Sequence, residues 1–153
     1  MKLTENFSLA ELTKSQTSTR LGFDNKPNQM QVLALTKLCE NVLQPIRNKF
    51  EKPVIISSGF RSARLSEAIG SSGKSQHCKG EAADIEIFGL DNKILASWIH
   101  NNIKYDQLIL EFYKESEGPN SGWVHVSYTD ECRKQFLKAY KDAKGKTRYI
   151  PWQ

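Results

Sequence analysis

His77-Cys78-Lys79-Gly80-Glu81-Ala82-Ala83-Asp84-Ile85-Glu86-Ile87 reads as a bend followed by a strand. Ala83, Ile85 and Ile87 alternate with Asp84 and Glu86, the two-residue period of a pleated strand with one apolar and one polar face. His77 stands seven residues before Asp84, too far for both to serve one point from a straight strand that rises about 3.3 Å per residue. Lys79-Gly80 supplies the bend, because glycine accepts backbone angles that other residues resist. Gly122-Trp123-Val124-His125-Val126-Ser127 repeats the alternation: Val124 and Val126 share one face, and Trp123, His125 and Ser127 the other. Two strands of one sheet can thus present Asp84 and His125 to a common cleft while the preceding loop brings His77. Two imidazoles and a carboxylate are the ligand set of a zinc ion whose fourth position stays open. The pattern therefore predicts one Zn²⁺ per chain on His77, Asp84 and His125, and an enzyme.

Two neighbouring candidates carry less. His100 ends an amphipathic helical stretch beside Asn101 and Asn102, where an imidazole meets the negative end of the helix dipole, and it reads as structural. Cys78 adjoins His77, but neighbouring side chains point apart, so it reads as a small, partly buried residue.

The rest of the chain frames these strands. Ser8-Leu9-Ala10-Glu11 is a capping box with Phe7 as its staple residue, opening a short helix. Polar Thr13 to Pro27, with Gly22, reads as a loop. Leu35, Leu38, Cys39, Val42, Leu43 and Ile46 follow helical spacing between Asn28 and about Phe50, with Pro45 expected to kink or shorten the last turns. Val54 to Ser58 is a strand, Ser62 caps a helix through Ile69, and Gly70 to Ser75 is a loop leading into the His77 segment. Asp91 caps a second amphipathic helix bearing Ile94, Leu95, Trp98 and Ile99, and Gln107 to Tyr113 is a further strand. Arg133 to Lys144 suits a helix or a strand. The hairpin, turning at Lys144-Gly145-Lys146 into Thr147 to Trp152, is the better reading, since Phe136, Tyr140, Tyr149, Ile150 and Trp152 suit pleated, half-buried positions. The expected fold is α+β, an antiparallel sheet with helices packed to one side and the zinc cleft on the sheet.

Composition sets outer bounds. The chain has 153 residues, the size of one domain (1–153) able to bury a core without disulfides. Cys39, Cys78 and Cys132 are odd in number and scattered, which fits neither a disulfide framework nor a paired zinc finger, and suits a reducing compartment at synthesis. The N-terminus lacks an apolar run of signal-peptide length, and no stretch approaches the roughly 20 apolar residues of a membrane span. Synthesis in the cytoplasm without membrane insertion is the expectation. A net charge of +5 favours polyanions, with much of the excess in Arg133, Lys134, Lys138, Lys141, Lys144, Lys146 and Arg148. No nucleic-acid-binding motif accompanies that charge, so nucleic acid is not the expected partner.

The segments Ser57-Ser58-Gly59-Phe60-Arg61-Ser62, Ser75 to Asp84, Asp106-Gln107-Leu108-Ile109-Leu110-Glu111 and Gly122 to Ser127 resemble, in order and spacing, peptidase family M15, the zinc D-Ala-D-Ala carboxypeptidases and peptidoglycan endopeptidases. The resemblance runs from about Phe7 to Tyr149 and is closest to the small single-domain branch common in phages and prophages. It implies a monomeric zinc peptidase that hydrolyses peptidoglycan stem peptides, as a D-Ala-D-Ala carboxypeptidase or an L-Ala to D-Glu endopeptidase. The missing export signal would then suit a phage or prophage lysin, or a virion component, reaching the wall after release. The alternative is a non-catalytic, zinc-containing cell-wall binding module of the same fold.

Carried over by position, the resemblance makes His77, Asp84 and His125 the zinc ligands. It makes Arg61 the substrate-binding arginine, whose guanidinium fork suits a carboxylate or a developing oxyanion; a salt bridge closing the strand-to-helix turn is the other use for it. Ser75 and Gln76 become candidates for hydrogen bonds to the substrate backbone, and Trp123 for a cleft wall or core packing. Many relatives carry a Glu or Asp three residues before the last histidine ligand, where this chain has Gly122. The general base must come from elsewhere. Glu111 shares parity with Gln107 and Ile109, opposite Leu108, Leu110 and Phe112, and would lie beside His125 if the two strands pair. Glu86 is the rival, two residues beyond a ligand and expected to point past the ion.

Overall fold

The computed structural model describes residues 1–152. The chain opens with a two-stranded ribbon, β1 (Lys2–Thr4) and β2 (Phe7–Ser8), leading into α1 (Leu9–Thr13). The Ser8 hydroxyl accepts from the Glu11 amide and the Glu11 carboxylate accepts from the Ser8 amide, closing the capping box over a buried Phe7. The segment expected as a loop after Thr13 contains a helix, α2 (Gln16–Leu21), capped by Ser15 and ended by Gly22. It is too short and too polar to show helical periodicity, and its local caps define it instead.

α3 (Gln29–Leu38) continues through a wide π-turn at Cys39–Leu43 into α4 (Gln44–Phe50). Pro45 neither breaks nor shortens this helix. It falls in the first turn of α4, where its missing N–H matters least, and the widened turn before it takes up the mismatch. There follow β3 (Ile55–Ser58), α5 (Ala63–Ala68), a 3₁₀ turn at Gln76–Lys79, β4 (Ala82–Glu86), α6 (Asn92–Asn102) and β5 (Gln107–Glu111). After a second 3₁₀ turn come β6 (Trp123–Ser127) and the hairpin of β7 (Gln135–Lys141) and β8 (Thr147–Pro151), so the C-terminal segment is the expected hairpin.

Six strands form one sheet in the order β3-β4-β6-β5-β7-β8. The fold is α+β as expected, but the sheet is mixed where an antiparallel one was expected, because β5 and β7 run parallel. The connection after β6 steps past the start of β5, held by hydrogen bonds from Arg133 to the Asp106 carboxylate, from Lys134 to the Tyr105 carbonyl and from Gln135 to the Asp106 carbonyl. Having crossed to the far side of β5, the chain returns antiparallel to β6 and therefore parallel to β5.

Leu35, Leu38, Val42 and Ile46 from the long helix, with Leu95 and Ile99 from α6, pack on Ala83, Ile85, Leu108, Leu110, Val124 and Val126, all buried. Burying each large apolar side chain contributes about 1.5–3 kcal/mol. One sheet face is thereby spent on the core, and the alternate residues of β4, β5 and β6 face the other way, into the cleft. Among the described residues no helix is long and apolar enough to cross a membrane.

Candidate metal centre and cleft

Asp84 on β4 and His125 on β6 stand directly opposite each other, and His125 Nδ1 lies 3.0 Å from Asp84 Oδ1. His77 arrives on the 3₁₀ turn before β4, with its Nε2 3.3 Å from the same oxygen. The turn ends at Gly80, φ +75°, where an added Cβ would stand 2.5 Å from the Gln31 carbonyl oxygen. Only glycine fits both that angle and that approach. The bend inferred from Lys79-Gly80 is thus built into the packing against α3.

His77 Nδ1 lies 2.8 Å from the Gly59 carbonyl oxygen, which can only accept, so Nδ1 carries the proton and Nε2 presents a lone pair. That lone pair meets a carboxylate oxygen. Two acceptors this close repel unless a proton or a cation lies between them. The ligand atoms of His77, Asp84 and His125 all fall within 4.8 Å of one another. Tetrahedral zinc with bonds of about 2.0–2.1 Å needs donors about 3.3 Å apart, which the 3.0 and 3.3 Å separations approach. Burial opposes charge on Asp84, but the adjacent His125 and His77 rings outweigh it and hold the carboxyl well below the usual range, so it is an anionic donor at neutral pH. The set fits a zinc ion.

Glu111 faces Trp123 across the β5–β6 pair, two residues along from Ile109, which faces His125. It therefore shares the metal face, offset by about 7 Å of strand. Burial, with help from the charge of Asp84, pushes its carboxyl up to about 7, against the opposing pull of the His125 and Arg61 charges. Gly122 explains why no carboxylate stands before the last histidine: at φ +64°, a Cβ there would lie 1.9 Å from the Glu111 carbonyl oxygen. Glu86 lies elsewhere, accepting from the Asn92 amide at 3.3 Å. Phe112 departs from the expected alternation. Its φ of +56° ends β5 and turns its ring edge-on to Trp123, centroids 5.3 Å apart, so it does not join Leu108 and Leu110 in the core.

The remaining sequence candidates gather around the same cleft of about 380 Å³. Arg61 lines it, tied by its backbone N–H to the His77 carbonyl at 3.1 Å; its Nε is buried without a hydrogen-bond partner among the described residues, and no ion pair engages its guanidinium there. Trp123 is a wall, its indole N–H likewise buried and unpartnered among the described residues. Ser75 caps the 3₁₀ turn through the His77 amide at 3.2 Å. Gln76 donates its amide to Asp106 at 3.0 Å and to Glu81 at 3.3 Å, so its side chain braces the turn. His100 bonds the Tyr105 hydroxyl at 2.7 Å and stacks on Phe136, away from the cleft. Cys78 is buried and directs its thiol at the Ser72 carbonyl.

Four contributors escaped the sequence reading. The Gly59 carbonyl orients His77. Asp106, gripped by Arg133 through contacts of 2.8–3.2 Å, anchors Gln76. Asn92 is fully buried; it donates from its amide to the Ser121 carbonyl at 3.1 Å and from its backbone to the Pro119 carbonyl at 2.9 Å, pinning the loop that delivers Gly122 and Trp123. Tyr149 reaches the cleft from β8. A local signal existed only for Asn92, as the residue after the helix cap Asp91.

The family model described as Peptidase M15 matches residues 5–127. No curated protein matches the chain. The matched span ends with the last residue of β6 and leaves β7 and β8 outside it.

Proposed function

Because the chain belongs to peptidase family M15, whose members are zinc metallopeptidases, we propose that it hydrolyses the stem peptides of peptidoglycan. The observation that carries the proposal is one sheet face bearing the convergent His77, Asp84 and His125 set with Glu111 beside it. His77, Asp84 and His125 would hold the zinc, which when bound supplies Lewis-acid chemistry, polarising a peptide carbonyl and making water acidic.

Every other part falls to side chains. Glu111 takes a proton from the attacking water and returns it to the departing amine, so that the amide and water become a carboxylate and an ammonium group, the second proton of the water also passing to the amine. Burial raises this carboxyl in the metal-free chain, so it holds a proton more readily than an ordinary glutamate and is suited to taking one up and passing it on. Arg61 offers a guanidinium donor that no protein acceptor claims among the described residues, suited to a substrate carboxylate or the oxyanion. Trp123 walls the cleft and excludes water from the reacting bond.

The test is digestion of purified peptidoglycan with product identification by mass spectrometry. Loss of one D-Ala identifies a carboxypeptidase, and freed stem peptides identify an endopeptidase. Unchanged material, from protein shown to carry zinc, refutes the proposal and leaves a wall-binding module.

A further inference from the structure

We infer that Tyr149, on the C-terminal hairpin beyond the family-matched residues, contacts the part of the substrate that departs with the amine, which makes this hairpin a specificity element of the cleft. The inference rests on the peptidase reading above. It starts from register. Trp123 pairs with Glu111, Glu111 with Ala139, and Ala139 with Tyr149, so these four side chains form one row across β6, β5, β7 and β8 on the metal face. Cross-strand contacts confirm the face: the Gln107 amide bonds Gln135 at 2.8 Å and Lys141 bonds Thr147 at 3.0 Å.

Strands lie about 4.8 Å apart, which places the Tyr149 backbone about 10 Å from that of Glu111. Ala139, the residue between, is small and buried, so the phenol can lean over it into the cleft it lines. Tyr149 is itself 56% exposed, leaving the ring open to a ligand. From the metal set, the row runs outward through Glu111 to Tyr149. The amine must leave within reach of Glu111 to collect its proton, and the next side chain in that direction is Tyr149. Burial and the Glu111 charge push the phenol upward from its ordinary value, so it remains a hydrogen-bond donor when Glu111 is ionised. A donor here suits a carbonyl or terminal carboxylate on the leaving residue. Arg61 lies on the His77 side of the cleft, so the substrate would cross the strands between the two.

The experiment uses the zinc-loaded full chain with Tyr149→Phe and Tyr149→Ala, assayed on L-alanyl-D-glutamyl-L-lysyl-D-alanyl-D-alanine and its diaminopimelate counterpart. The Phe variant should raise KM five- to tenfold with kcat within about threefold, as loss of one hydrogen bond would. The Ala variant should raise KM further, and both should keep wild-type zinc content. The same substitutions in Glu111→Gln protein, titrated with the same peptides by calorimetry, should weaken binding by similar factors. A wild type that cleaves while both variants match it within twofold in KM overturns the role of Tyr149 alone. A wild type that binds without cleaving refutes the peptidase reading, and the calorimetric ratio then upholds or overturns the Tyr149 contact by itself. A wild type that neither cleaves nor binds these peptides overturns both.

Discussion

Glu111 and Gly122 account for each other. Residue 122 has no room for a side chain because the Glu111 carbonyl oxygen fills the space, and the carboxylate beside it in the cleft, that of Glu111, comes from the neighbouring strand. Gly122→Ala forces both a left-handed alanine and a clash at 1.9 Å with backbone; it should cost more than about 2 kcal/mol in thermal or denaturant unfolding and lower activity through displacement of Glu111. Glu111→Gln should keep zinc while turnover falls about 10²- to 10⁴-fold, whereas Glu86→Gln, whose carboxylate only braces Asn92, keeps most activity. His77→Ala and His125→Ala should lose the metal, as read by elemental analysis. The Glu111 shift adds a stability signature. Its folded value of about 7 exceeds its ordinary value of 4.5, so ionisation destabilises the fold progressively as pH rises from 4.5 to 7 and fully above 7. Metal-free Glu111→Gln should therefore be more stable than metal-free wild type at pH 8, by up to about 3 kcal/mol, and no more stable at pH 4. Equal unfolding midpoints at pH 8 would show that the carboxylate is not held against its preference.

At the scale of elements, the cleft depends on where β5 begins. Asp106 lies just before that strand, 1% exposed, and joins the Gln76–Lys79 turn to the crossing connection through Gln76 and Arg133. Hydrogen bonds from Arg133, above all, hold its carboxyl below the usual range. The folded value lies below the unfolded one, so this contribution is complete above about pH 4 and is lost as pH falls below the ordinary carboxylate range. Asp106→Asn should cost about 2–3 kcal/mol at pH 7, discounted because Arg133 is half exposed and regains hydration, and should flatten the acid limb of stability. An acid limb as steep as that of the wild type would assign it to other carboxylates. This clamp also marks the limit of what the sequence discloses. β4, β5 and β6 are legible because alternation is local, and the bend before Asp84 because glycine marks it. Asp106 and Arg133 are 27 residues apart, and the parallel pairing of β5 with β7, on which the placement of Tyr149 depends, is encoded by no local period. The short α2 was illegible for a related reason: two caps define it with no apolar stripe between them.

Across the whole molecule, the net charge of +5 is unevenly placed, and the hairpin that supplies Tyr149 is also the basic end of the chain. Its charges are not equivalent. Arg148 is paired with Asp142 at 2.9 Å, and Lys141 lies over the Phe112 ring and bonds Thr147, whereas Lys144 and Lys146 stand exposed at the turn, with Lys138 half-exposed on the strand before them. Cations at an exposed turn with no ion pair among the described residues act at a distance, and on the proposed function they would raise the encounter rate with an anionic wall without shaping the bond that is cut. Binding to purified anionic cell walls should therefore weaken as salt rises from 0.05 to 0.5 M, since exposed charges are screened beyond about 10 Å at 0.1 M. Replacing Lys138, Lys144 and Lys146 by Gln should remove most of that salt dependence while leaving kcat on a soluble stem peptide within about twofold. Co-sedimentation with walls across the salt series, beside peptide hydrolysis by the same preparations, separates the two effects. If the triple variant sediments with the wild-type salt profile, wall attraction resides in the cleft rather than the hairpin. If it loses peptide hydrolysis as well, the basic turn supports the position of Tyr149 and is not an independent electrostatic guide.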